Sequence, residues 1–167
     1  PHDDLEAVAR VRSRLPWYVP HLAFEGPTLP KEGLEVFSSA YPLLVGLETS
    51  EEAWAYSVVK IMHHHFDEYK NNAPGATGWM LERQKFDQAF LPFHPGAIRY
   101  YKEIGAWSEA AEAQNQHNLK RQAVLANAWA NFIIAAPEDY AAFEKAWLVA
   151  RETALQAAEL ITLGEGL

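Results

Sequence analysis

Proline removes a backbone donor and fixes φ, so its positions limit where long helices and sheet ladders can run. In this chain of 167 residues the distribution is uneven. Pro16, Pro20, Pro27, Pro30 and Pro42 crowd the early part. None falls between Pro42 and Pro74, between Pro95 and Pro137, or after Pro137. The crowded part has room only for short strands and loops. Regular helix belongs in the open stretches, and helical start and stop signals bound them.

Read in order, residues 3–15 predict a short helix capped by Asp3, with Glu6 three residues on and Leu5, Val8 and Leu15 along one side. Residues 16–33 predict loop with a short strand at Val19–Phe24, and residues 34–47 one or two strands through Val36-Phe37 and Leu43-Leu44-Val45. Thr49-Ser50-Glu51-Glu52 reads as a capping box for a helix over about 50–70. Its stripe is Trp54, Val58, Ile61 and His65, flanked by Met62, Phe66 and Tyr69. Asn71 to Gly75 stop it. A helix over 77–90 follows, then one from Pro95 to Lys102 or Glu103, broken at Gly105. A longer helix spans Ser108 to Ile134. Pro137 opens the last helix, where Tyr140, Phe143, Trp147, Ala150, Ala154, Ala157 and Ile161 alternate in steps of three and four. The short Ala-Ala-Pro connection folds these two helices into a hairpin. The class is α+β, predominantly helical.

An apolar share of 49 % is enough for one domain with a real core and argues against disorder. Formal charge is −8 and the basic residues are scattered, so no nucleic-acid partner is expected. With no cysteine, disulfides and thiolate metal sites are excluded. There is no G-x-S-x-G elbow, no glycine-rich phosphate loop and no carboxylate pair singled out by spacing. The chain is read as no enzyme, with no catalytic residue and no cofactor. His63-His64-His65 invites a metal reading through i,i+4 pairs with Asp67 and Glu68. The helical wheel opposes it, because it places His65 on the apolar stripe and His63 almost opposite. A solvated His63 and His64 and a packed His65 are expected, with no metal.

Two constellations point to binding. Trp17 and Tyr18 lie in proline-stiffened chain, and Ser39 and Tyr41 lie at a strand end. Aromatic walls with a few hydroxyls suit a small-molecule site, although the same rings could fill a core beneath a long loop. The second is "LPFHPGAIRYYKEIG", Leu91 to Gly105. Pro95 fixes φ for a first helical turn, and Gly96, Ala97 and Ile98 offer backbone N–H groups behind it. Gly96 and Ala97 carry almost no side chain, so another backbone or an anion can come close, and His94 can cap. A tightly docked helix start and a ligand contact at His94, Gly96 and Ala97 both remain open.

That same stretch resembles the C-terminal signature of the TAXI class of TRAP-transporter solute-binding proteins, a His-Pro-Gly-Ala segment followed by a tyrosine-bearing helix. Tyr18 to Pro20, the chain through Leu34–Val45, and the helix carrying Ser50-Glu51-Glu52, Tyr56 and Val59-Lys60 agree with it in order. The likeness covers roughly Pro16 to Gly105. It implies the C-terminal portion of a two-lobed α/β receptor outside the cytoplasmic membrane, periplasmic or otherwise extracytoplasmic. Such a receptor captures a small organic acid or amino acid and hands it to the membrane permease subunits of a TRAP transporter. Residues 1–105 would be the receptor-type part and residues 106–167 a helical-hairpin extension. An N-terminal half is expected to be missing, and a homodimer through 137–161 is expected. The rival reading is a helical interaction or assembly module that has lost its ligand.

Overall fold

A computed structural model describes residues 2–24, 28–39 and 43–162. Helix accounts for 59 % of the residues and the sheet has two strands, so the predominantly helical α+β class holds. The chain begins with α1 (Leu5–Arg14), capped by Asp4, whose carboxylate accepts from the Ala7 N–H; the expected cap, Asp3, lies one residue outside it. Strands β1 (Val19–Ala23) and β2 (Leu34–Ser38) pair antiparallel, Val19 opposite Ser38 and Ala23 opposite Leu34. His2 reaches back to β2, its Nε2 within 3.0 Å of the Val36 carbonyl. The expected second run at Leu43–Val45 is not strand but irregular chain with exposed side chains.

Helix α2 (Glu52–His64) starts at Glu51 without a side-chain cap, so the anticipated capping box does not form. It is also shorter than expected, because the chain breaks at His65 before the single turn α3 (Phe66–Tyr69). Residues 77–90 give no α-helix. Three 3₁₀ turns replace it, Ala76–Trp79, Leu81–Arg83 and Phe86–Gln88. Their aromatic side chains pack separately, and Phe86 lies against Phe93, Tyr101 and Trp107.

Helix α4 (Pro95–Glu103) has the expected bounds, with Pro95 at its first position and Gly105 left-handed beyond its end. Helix α5 (Glu109–Phe132) is capped by Ser108 and continues as a 3₁₀ turn to Ala135. Pro137 does not open the last helix. It precedes α6 (Tyr140–Ala157), whose cap is Asp139.

The core lies in three helix contacts. In the first, α4 docks on α2. The expected stripe of α2 is overturned here, since Trp54 and Ile61 are exposed and the packed face carries Ala55, Tyr56 and His63. His63 is therefore the packed histidine, 2.6 Å from the Tyr100 hydroxyl, while His65 is exposed and pairs with Glu68. Bulk predicted the wrong face because the contact is decided by how closely two backbones can approach. The second contact is the α5–α6 hairpin, where Phe143 and Trp147 interleave with Trp129 and Phe132 at ring separations of 5.0–6.0 Å. Leu155 seals the far end of the hairpin at 0 % exposure. Tyr140 and Ile161, the outer members of the expected seam, are exposed.

In the third contact the polar half of α5 grips extended chain. Asn118 Nδ2 donates to the Ala89 and Leu91 carbonyls, Gln114 Nε2 donates to Ala89, and Asn115 Oδ1 accepts the Phe93 N–H. Asn115 and Asn118 are buried. Buried backbone groups need partners, and here side chains supply what a neighbouring strand would otherwise provide. Apart from these regions the core is thin. Among the described residues Tyr100 and Leu155 are the bulky side chains fully shielded from water.

Candidate functional site

The helix start at His94 is built on one imidazole that uses both nitrogens. His94 Nδ1 accepts from the Gly96 N–H at 3.1 Å, and its Nε2–H donates to the Ser50 carbonyl at 3.1 Å. One ring thus caps α4 and holds the chain that leads into α2. Gly96 then meets α2 directly. A Cβ there would overlap the Glu52 carbonyl oxygen and sit 2.8 Å from the Tyr56 nitrogen. Of the two openings read from the sequence, another backbone is what approaches Gly96. Ala97, also buried, continues the contact.

Around this crossing lies a polar and aromatic surface that the sequence did not single out. Arg99 pairs with Glu52 at 2.8 Å and stacks its guanidinium 4.3 Å over the Tyr56 ring. The Tyr56 hydroxyl donates to Glu103 at 2.6 Å and accepts from Lys60 at 3.2 Å. That bond to the Tyr56 hydroxyl raises the Lys60 ammonium above its ordinary value. Burial raises the Tyr100 phenol, and it pushes Tyr101 up to about 12, with Tyr100 adding to the shift. Neither phenol is a base near neutrality. These residues stand at i,i+3 and i,i+4 steps on α2 and α4, a spacing visible in the sequence. Which helix faced which was not visible.

Between α1 with the two strands on one side and α2, α4 and α5 on the other runs a cleft of about 1590 Å³. Trp17, His21, Ser38 and Ser39 form its strand side. Trp17 packs on Phe90, their rings 6.2 Å apart. The opposite wall includes Trp54, Val58, Phe93, His94, Ala97 and Tyr101. The cleft therefore gathers four of the expected site residues, Trp17, Ser39, His94 and Ala97. Tyr18 stands behind Trp17, its ring 6.1 Å away, and is not part of the wall. Gly96 lies in the helix crossing, also outside the wall. Tyr41 falls outside the described residues. Phe90 and Trp54 were missed: one sits in the stretch read as helix, the other was assigned to the packed stripe.

One charged group of the lining is engaged from several sides. Glu112 accepts from Gln116, from the Trp107 indole and from Lys102, and these bonds hold its carboxyl down at about 2. Among the described residues no group of three or more His, Asp or Glu side chains could hold a metal, and no helix is long and apolar enough to cross a membrane. The cleft has aromatic walls, a few hydroxyl and imidazole groups and, among the described residues, both paired and unpaired charges. That arrangement can bind a solute.

The model of the NMT1-like family matches residues 5–105. No curated protein and no solved structure gives a significant match.

Proposed function

Because the chain belongs to the NMT1-like family, a family of solute-binding proteins, we propose that its cleft captures a small organic acid or amino acid for import by a TRAP-type transporter. In this reading the protein works outside the cytoplasmic membrane and delivers its solute to the permease subunits. It performs no chemistry on the solute and needs no cofactor. The observation that carries the reading is the cleft itself, in which Trp17, Ser39, His94 and Ala97 from distant parts of the family-matched segment line one space. Trp17 and Ser39 are assigned to direct solute contact, with Tyr18 supporting Trp17, and Tyr41 is assigned to the same role. His94, Gly96 and Ala97 set the position of the opposite wall. Residues 1–105 are taken as the receptor-type part, a boundary supported by the end of the family match, and residues 106–167 as its helical extension.

A ligand that binds the folded state raises the melting temperature in proportion to ln(1 + [L]/Kd). Thermal melting against a panel of organic acids and amino acids, repeated with Trp17→Ala, tests the reading. Concentration-dependent stabilisation that weakens in the variant is expected. No stabilisation by any compound up to millimolar concentrations overturns it.

A second reading, a helical assembly module, is favoured by the hairpin tip, where Ile134 is 82 % and Tyr140 79 % exposed. A homodimer through 137–161 would cover these side chains. Sedimentation velocity over a concentration series decides this point: a dimer lost in Tyr140→Lys supports it, and a monomer throughout removes it.

A further inference from the structure

We propose that the solute is a bulky amphipathic carboxylate, an aromatic or long-chain acid whose apolar body lies along Trp17, Phe90 and Trp54 and whose carboxylate turns toward Arg12 and Lys85. The proposal rests on the solute-capture reading and narrows it.

Size is the first ground. Sites that enclose drug-sized ligands measure about 300–1000 Å³, and this cleft is about 1590 Å³. A small amino acid would leave most of the wall wet, whereas a ligand with a large apolar body buries it. The character of the wall is the second ground. Trp17, Trp54, Trp79, Phe86 and Phe90 line it, together with Leu43 and Leu44. Flat rings offer apolar area with little rotamer freedom to lose, which suits an aryl or extended acyl group.

The third ground is charge. The chain carries a formal −8, yet the cleft is lined by five Lys or Arg and four Glu side chains, so the acidity lies elsewhere. Two of the cations are already neutralised, Arg99 by Glu52 and Lys102 by Glu112. Arg12 and Lys85 line the cleft and have no ion pair with any described residue. A ligand carboxylate complements them. The carboxylates are more engaged than these two cations: Glu52 is held by Arg99, Glu112 already takes three donors and Glu48 accepts from Gln122, which leaves Glu82 for the ammonium of an amino acid.

The test measures binding of 1-naphthoate, 1-naphthalenemethanol and glutamate to the full chain by isothermal titration and by ligand-observed NMR. Naphthoate is expected to bind at least tenfold tighter than either the uncharged alcohol or glutamate. The Arg12→Gln/Lys85→Gln double variant, with an unchanged melting temperature, is expected to bring naphthoate down to the level of the alcohol. Trp17→Ala is expected to weaken both aromatic probes. Tighter binding of glutamate than of naphthoate overturns the proposed class while leaving solute capture intact. Equal binding of naphthoate and the alcohol overturns the carboxylate assignment, and so does a double variant that still prefers naphthoate. If these probes and the wider panel all fail to bind, solute capture itself falls and the proposal with it.

Discussion

Gly96 shows how much one missing methyl group can decide. In a helix interior, replacing glycine with alanine ordinarily improves propensity by up to about 1 kcal/mol. Here the added Cβ would overlap the Glu52 carbonyl, a backbone atom that cannot turn aside. Gly96→Ala is expected to destabilise the protein, and Gly96→Val to do so by about 1–3 kcal/mol or more through overpacking. Urea unfolding checks both, and a neutral Gly96→Val would mean that α4 does not dock where it is placed. The need for a small residue was legible in His-Pro-Gly-Ala; its partner was not, because nothing local to Glu52 marks it as a contact. Glu112 carries a second residue-scale prediction. Its carboxyl is lowered from 4.5 to about 2 by donors that exist only in the fold. Its contribution to stability is therefore present above about pH 4.5 and is lost as the pH falls toward 2. Glu112→Gln should flatten the melting temperature against pH in that window relative to the unaltered protein. An unchanged slope would show that the three bonds to Glu112 do not persist in solution.

At the scale of elements, periodicity located the helices well and their contacts poorly. Helix α4 ran over the expected residues, and so did β1 within one residue, because proline, glycine and capping signals act locally. The chain over 77–90 was misjudged as helix: it forms separate 3₁₀ turns, and Phe86 packs on Phe93, Tyr101 and Trp107 while Phe90 packs on Trp17. Helix α5 held a contact that the sequence did not announce. Its Gln114, Asn115 and Asn118 turn inward to satisfy the backbone of 89–93. A side chain that serves a distant carbonyl has no sequence period. The hairpin was better legible. Phe143 and Trp147 were expected to anchor a seam, and they do so against Trp129 and Phe132. Trp147→Glu should cost about 2–4 kcal/mol by removing that packing and placing a charge among four rings. Thermal melting combined with sedimentation reads the result. A large fall in melting temperature is expected, and an unchanged melting temperature would make the hairpin a loose appendage.

For the molecule as a whole, the chain holds together through a few tight contacts and a wide half-covered remainder. Sequence length and apolar content anticipated a substantial core, yet most bulky side chains stay partly open and line the cleft or the outer faces. Composition counts apolar residues; it does not say whether they meet. The cleft itself was half legible: Trp17 and Ser39 were named, but the wall opposite them depends on how α2, α4 and α5 assemble. Cutting the chain after Gly105 should therefore abolish cooperative unfolding, because it removes the side chains that hold 89–93. A shortened chain that still melts in one sharp transition would show that α5 and α6 are dispensable. The grip of α5 also has a meaning for how such a protein can diversify. Asn115 and Asn118 hold main-chain atoms, which every residue type but proline provides, so substitutions other than proline at Phe90 or Phe93 leave the anchor in place. The wall can drift in shape from one descendant to the next while its foundation stays inherited, and new preferences can arise by single steps without first passing through an unfolded ancestor.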